Sequence, residues 1–143
     1  KTVKRHRVYR IVATKNFETV DGRIVEKGEP GGWIESALNL SQDGRCWIDD
    51  DAVVLGNGGV TDNALVADEV MCEGILQDNA IARGKACIED GAICRDNTLV
   101  CDNALVKENA IVMDNATVAE DAIVCKNAVV GDDAYYTSRF TKL

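Results

Sequence analysis

Residues 76–135 read LQDNAI-ARGKAC-IEDGAI-CRDNTL-VCDNAL-VKENAI-VMDNAT-VAEDAI-VCKNAV-VGDDAY, ten blocks of six without a slip. The first residue of a block is aliphatic or small, the third is mostly Asp or Glu, the fourth mostly Asn and the fifth mostly Ala. A fixed short period of this kind is typical of a solenoid, in which each unit buries its apolar face against the next. Alternation around Ala-x-Val predicts that the first and fifth residues point inward and the sixth points outward.

The same six-residue period extends towards the N-terminus as far as Ile48. One block, Cys72-Glu73-Gly74-Ile75, has only four residues and predicts a tightened corner in one coil. Asn at the fourth position suits a corner because it tolerates left-handed backbone angles. Fifteen blocks, counting the short one, give about five coils when three blocks make one turn.

The pattern of Val106-Lys-Glu-Asn-Ala110-Ile111 resembles the hexapeptide repeat of left-handed parallel β-helix proteins, and the resemblance covers residues 48–136. It implies triangular coils of three blocks, each a short strand plus a corner, and frequent homotrimers. The segments GGWIE (31–35) and NLS (39–41) are similar to the start of bacterial and phage proteins grouped as hexapeptide transferases. The predicted fold is all-β, a left-handed parallel β-helix of about five triangular coils with an N-terminal β cap.

This reading divides the chain into three parts: a basic cap over residues 1–47, the β-helix over residues 48–136, and a tail over residues 137–143. A solenoid leaves an open end with unpaired edges, which an atypical terminal segment is expected to cover.

Within the cap, residues 1–15 alternate basic and apolar side chains, which predicts a strand with one wet, basic face. Asp21-Gly22 predicts a hairpin with a type I′ turn. We expect Trp33 and Trp47 to plug the first coil. The alternative is that the basic strand is itself a ligand site.

Charge is spread unevenly over the chain, whose net charge is -8. Residues 1–47 carry nine Lys/Arg and six Asp/Glu, whereas residues 48–136 carry five Lys/Arg and eighteen Asp/Glu, a balance of -13. Such acidity argues against direct binding to nucleic acid or to an anionic membrane, and it favours a partner with a basic protein surface, such as a nucleic-acid-binding protein.

The composition also predicts the compartment. No apolar run approaches the roughly 20 residues of a membrane span, and no signal peptide is visible. The six cysteines form no CxxC pair and have no His partner. Cys72 and Cys94 are expected to point inward as small apolar groups. We therefore predict reduced thiols and a cytoplasmic location, in a bacterial or phage-infected cell.

Stacking of the coils would align the third-position acids in columns. The predicted acidic ladder comprises one column of five aspartates and two acids of a second column: Asp62, Asp78, Asp96, Asp114, Asp132, Asp102 and Glu120. Three interpretations remain open: corner residues whose charge keeps the solenoid soluble, an ordered negative ladder that docks on a basic groove or imitates a phosphate backbone, or a ladder that shares hard cations.

The outward sixth positions carry apolar residues, and such stripes usually mark a partner. The predicted interface of a homo-oligomer, a dimer or a trimer, consists of Ile93, Ile111, Val129, Leu105, Ile123 and Leu99. A foreign protein, or simple β-propensity, would account for the same residues.

Catalysis is not expected. The resemblance implies a His base for acyl transfer or three His ligands for a zinc carbonic anhydrase, but the single histidine, His6, lies outside the repeat. We predict no catalytic residue, no metal site and no cofactor. The resulting hypothesis is a non-catalytic binding protein whose acidic β-helix docks on a basic surface, with inhibition of a CRISPR-type or other phage-defence nuclease by nucleic-acid mimicry as one use. A hexapeptide acyltransferase-like enzyme and a structural homotrimeric scaffold are the alternatives.

Overall fold

The computed structural model describes residues 1–137 and is a parallel β-solenoid. Residues 1–34 hold six strands, which are β1 (Thr2–Val3), β2 (His6–Arg7), β3 (Tyr9–Val12), β4 (Phe17–Glu18), β5 (Ile24–Val25) and β6 (Pro30–Ile34). A single 3-10 turn at Ala37–Asn39 is the only helical element in the described part of the chain.

The solenoid continues with sixteen two-residue strands, each made of the last residue of one block and the first residue of the next. They are β7 (Trp47–Ile48), β8 (Val53–Val54), β9 (Gly59–Val60), β10 (Leu65–Val66), β11 (Met71–Cys72), β12 (Ile75–Leu76), β13 (Ile81–Ala82), β14 (Cys87–Ile88), β15 (Ile93–Cys94), β16 (Leu99–Val100), β17 (Leu105–Val106), β18 (Ile111–Val112), β19 (Thr117–Val118), β20 (Ile123–Val124), β21 (Val129–Val130) and β22 (Tyr135–Tyr136).

Every third strand stacks in register, which produces three faces. The first face is β7-β10-β13-β16-β19-β22, the second is β3-β6-β8-β11-β14-β17-β20, and the third is β9-β12-β15-β18-β21. All pairs are parallel except the antiparallel pairing of β3 with β6. The prediction of an all-β parallel β-helix is confirmed, and its left-handed sense stays a prediction.

Six levels are present instead of the five expected. The additional level comes from residues 33–48, where Trp33 pairs with Val53, Leu40 with Val60 and Trp47 with Leu65. At equivalent inward positions this level carries Ile34, Leu40 and Ile48, which are spaced by six and then eight residues, so the six-residue period is interrupted here. Asn39 holds it: the side chain is fully buried, donates to Gly58 O at 2.7 Å and accepts from Glu35 N and Ser36 N.

The four-residue block forms the tightened corner that the sequence predicted. Strands β11 and β12 keep their register with the levels above and below. Gly74 makes this possible, because a Cβ there would lie 2.6 Å from Ala92 O and 2.7 Å from Ile88 Cγ2. The loss of two residues is therefore absorbed entirely at the corner.

Small side chains fill the interior, as expected from the first and fifth positions. Val100, Val106 and Val112, and the alanines such as Ala104 and Ala110, have no exposed surface. Cys72 and Cys94 are buried among them, which confirms their inward orientation.

Residues 1–47, here called the head, differ from the prediction in three details. Residues 1–15 are not one strand: β1 and β2 form a hairpin whose turn, Lys4-Arg5, has left-handed φ angles of 49° and 67°, and β3 follows it. The tryptophans do not plug the coil, because Trp33 and Trp47 occupy outward sixth positions. Ile11, Ile34 and Leu40 pack against the interior at this end instead.

The second predicted hairpin is present as β4 and β5. Its turn is not type I′, since that type requires a positive φ at both central residues and only Gly22, at 88°, has one. The loop is wider: Thr19 N donates to Arg23 O at 2.8 Å, and Gly22 N donates to Thr19 O.

Candidate functional site

The predicted column of five aspartates lies along one edge of the solenoid, between the third and first faces, which we call edge I. Asp62, Asp78, Asp96, Asp114 and Asp132 all have a left-handed φ, between 54° and 60°. The left-handed residue of this corner is thus the third of the block, and not the fourth as the sequence reading assumed. Asp is among the few residues that adopt this conformation readily.

A continuous chain of hydrogen bonds connects these aspartates. Each backbone N–H donates to Oδ2 of the aspartate one level earlier: Asp78 to Asp62 at 3.1 Å, Asp96 to Asp78 at 3.1 Å, Asp114 to Asp96 at 2.9 Å and Asp132 to Asp114 at 2.8 Å. These N–H groups have no backbone acceptor within the described residues. The carboxylates therefore supply an acceptor that the corner needs.

A second ladder runs beside the first, formed by the fourth-position residues. Asn63, Asn79 and Asn97 each donate Nδ2 to the amide oxygen of the next asparagine, at 3.2, 3.1 and 3.4 Å. Asn115 closes the series by donating to Asp133 Oδ1 at 3.2 Å. Amide stacking explains the preference for Asn here better than backbone strain does.

Edge II, between the first and second faces, carries Asp102 and Glu120, and its ladder is incomplete. Glu120 N donates to Asp102 Oδ2 at 2.9 Å, and Gly84 N donates to Asp68 Oδ2 at 2.8 Å. Gly84 has no side chain, so the ladder is interrupted between Gly84 and Asp102. The seven predicted ladder residues thus form two separate columns, five on edge I and two on edge II.

A comparison of two energies, the charge repulsion and the hydrogen bond, shows why like charges can stack in this way. Unit charges about 5 Å apart repel by roughly 1 kcal/mol in water. A hydrogen bond to a charged group contributes roughly 1.5–3 kcal/mol. The inter-level bond therefore offsets the repulsion, and the aspartates have a structural role that the sequence reading missed. The recurrence of Asp on one edge at five successive levels was the signal for it.

Few cations neutralise the solenoid. Arg83 pairs with Asp21 of the head at 3.0 Å, and Lys85 and Lys107 lie near Glu69 and Glu108 at 3.9 and 3.5 Å. Beside edge I, the nearest cation is Arg95, whose Nε lies 3.8 Å from Asp96 Oδ2. Of the ladder residues, Asp62, Asp102 and Asp132 are exposed, and Asp78, Asp96, Asp114 and Glu120 are half-buried.

The six predicted interface residues lie on all three faces. Ile93, Ile111 and Val129 share the third face, Leu105 and Ile123 lie on the second, and Leu99 lies on the first. Ile75 joins the third-face stripe in register with Ile93.

The head covers parts of two of these faces. Val8 packs on Val53 and Leu55 of the second face, and Val25 and Phe17 pack on Trp47 and Leu65 of the first. Neither cluster includes a sixth-position residue of the third face.

Ion pairs hold the head on the solenoid. Arg23 binds Asp49 through two hydrogen bonds of 2.8 and 2.9 Å and also binds Glu29. Burial opposes ionisation of Asp49, but the bonds from Arg23 outweigh it and hold the pKa of Asp49 below its ordinary value. Lys4 pairs with Glu73 of the short block at 3.3 Å.

The only histidine is used within the head. His6 Nδ1 lies 2.7 Å from Glu35 Oε2, and Glu35 Oε1 accepts from Gly56 N at 2.7 Å. The hydrogen bond with His6 lowers the pKa of Glu35. Residues 1–137 contain no group of three His, Cys, Asp or Glu side chains placed to hold a metal ion. No helix within them is long and apolar enough to cross a membrane.

Comparison with protein-family models, with curated proteins and with solved structures found no match for the chain.

Proposed function

We propose that this protein acts without catalysis, by docking its acidic solenoid on a basic surface of a partner protein that handles nucleic acid. The supporting observation is the linear density of charge. Residues 48–136 carry eighteen acidic and five basic residues. They span five level-to-level steps of about 4.8 Å each, or about 24 Å. The net density is about one negative charge per 1.8 Å, against about 1.7 Å along duplex DNA.

The order of the carboxylates supports the same proposal. On edge I the inter-level hydrogen bonds fix five aspartates in one line. A fixed array loses little conformational entropy on binding, which favours association with a rigid basic groove. A groove that normally receives a phosphate backbone is a surface of this kind, so occupancy by the solenoid would inhibit nucleic-acid binding. A phage-defence or CRISPR-type nuclease is one such partner.

The test uses capture from nuclease-treated bacterial lysate, followed by competition with duplex DNA for each captured protein after purification. We expect at least a tenfold weaker association at 500 mM than at 50 mM NaCl, and displacement of DNA from the partner. The triple variant D78N/D96N/D114N should lose binding while staying folded, because the Asn side-chain oxygen can still accept the inter-level bond.

A matched control is the variant E18Q/E26Q/E89Q, which removes the same charge from exposed residues away from edges I and II and should bind like the wild type. Salt-independent binding, or equal loss in the two triple variants, would show that ordered edge charge is not the determinant.

One observation favours a second candidate, a homo-oligomeric scaffold. The third face presents Ile75, Ile93, Ile111 and Val129 in one column, and none of them belongs to an apolar cluster with the head. Ile111→Asp should then lower the molar mass measured by light scattering, whereas D78N/D96N/D114N should leave it unchanged. A monomeric wild type would eliminate this candidate.

A further inference from the structure

A cleft of about 330 Å³ lies within the head. One wall is the end of β3 and the segment after it, residues 11–17, and the other is formed by residues 34–47 of the first level. It lies at the N-terminal end of the solenoid, and its lining includes Gly44, the corner residue that stacks on Asp62 where the edge I ladder begins. Its volume falls in the range of about 300–1,000 Å³ that is usual for small-molecule sites.

The walls of the cleft are mainly apolar. Ile11, Ile34 and Leu40 contribute aliphatic surface, and Phe17 meets Trp47 edge-on, with ring centroids 5.4 Å apart. Cys46 also lines the cleft, and burial raises the pKa of its thiol to about 11, so this side chain is neutral and apolar at physiological pH. The body of a ligand here would be hydrocarbon.

One charged residue, Lys15, is present among those lining the cleft. It is exposed, and it makes no ion pair with any carboxylate of residues 1–137. This contrasts with Lys4 and Arg23, which are paired. An unpaired cation beside an apolar cleft is complementary to a single negative group attached to a hydrocarbon chain.

We infer that this cleft is a binding site for a small amphipathic monoanion, namely a free medium-chain carboxylate. Its chain lies along Trp47 and Leu40, where the transfer of each methylene from water is favourable. Its carboxylate pairs with the Lys15 amine. This site shares no residue with the acidic edges, and it does not depend on the proposed docking function.

Octanoate is the probe, and the emission of Trp47 is the readout, in a Trp33→Phe background so that only one tryptophan emits. We expect a saturable change in emission with octanoate. Lys15→Gln should weaken octanoate binding by roughly fivefold, the size expected for a solvent-exposed ion pair. Octan-1-ol has the chain without the charge, and its binding should not respond to Lys15→Gln.

Two further variants sharpen the test. Lys27→Gln removes an exposed head lysine that does not line the cleft and should bind octanoate normally. Ala37→Phe fills the exposed rim without adding a tryptophan and should block both ligands, with circular dichroism checking that it is folded. Absence of a saturable response in the wild type, or equal octanoate affinity in Lys15→Gln and Lys27→Gln, would overturn the inference. D78N/D96N/D114N should bind octanoate normally, so failure here is separate from failure of the docking proposal.

Discussion

The head and the solenoid are stabilised in different ways. The head is attached by individual long-range pairs, such as Arg23 with Asp49, and by two small apolar clusters. The solenoid repeats one set of contacts, an inward Val and Ala and an Asp to backbone bond, at level after level. A lost contact in the head has no substitute, whereas a lost contact in a column leaves the neighbouring levels intact. Three substitutions examine this contrast.

The largest effect should come from the one corner of the solenoid that is not repeated. Gly74→Ala would place a Cβ 2.6 Å from a backbone oxygen, which cannot move without shifting the next level. We expect a loss of about 3 kcal/mol in the free energy of unfolding, measured with urea. Gly59→Ala is the control, since its Cβ would meet only the flexible Ile75 Cδ1 at 3.2 Å, and it should cost less than about 1 kcal/mol. Equal effects would mean that the corner is softer than the contacts indicate.

In the head, Arg23→Gln should reduce stability by about 2 kcal/mol at pH 7, because it leaves the mostly buried Asp49 without its cation. The variant should also change the response to acid. Asp49 and Glu29 have folded-state pKa values below the unfolded ones. Their contribution is therefore complete above about pH 5 and is lost as the pH falls through the folded values.

Wild-type stability should accordingly decline below about pH 4.5, and the decline should be shallower in Arg23→Gln. Thermal unfolding between pH 2.5 and 7 measures both curves. Parallel curves would show that the Arg23 cluster does not set the acid response.

The smallest effect should come from a single ladder position. Asp96→Ala removes the acceptor for Asp114 N and places Ala in a left-handed conformation, which should cost about 1–2 kcal/mol. Asp96→Asn keeps an acceptor and a tolerant backbone, so it should change stability by less than about 0.5 kcal/mol. Chemical unfolding of the two variants and the wild type measures these differences in the free energy of unfolding. If both variants match the wild type, the ladder bond contributes nothing to stability.

The same contrast explains what could be predicted. In the repeat, position within a six-residue block determines orientation, so the column of Asp62, Asp78, Asp96, Asp114 and Asp132 and the tight corner at Gly74 followed from the period alone. The carboxylate to backbone bonds did not follow, because they depend on which corner residue is left-handed, and the sequence pointed to the fourth residue instead of the third. The grouping of aligned acids was thus predictable, but their structural purpose was not.

In the head, no sequence repeat indicates which side chains point inward. The level formed by residues 33–48 was missed because two additional residues between Leu40 and Ile48 interrupt the six-residue period. The outward orientation of Trp33 and Trp47 depends on distant partners, Val8 for one and Phe17 for the other. Such contacts between residues far apart in sequence leave no local signature. The cleft beside Lys15 arises from these same contacts and was equally invisible.

The inter-level bond on edge I has a consequence for the dimensions of the protein. Because each aspartate bonds only to its neighbours on this edge, through its N–H to the level before and through its carboxylate to the level after, an inserted copy of one eighteen-residue turn would satisfy its own N–H and present a new acceptor to the next. Each insertion would add about 4.8 Å of length and one further carboxylate in line. This edge therefore behaves as a modular ruler, whose reach can change in fixed increments without redesign of the parts already present.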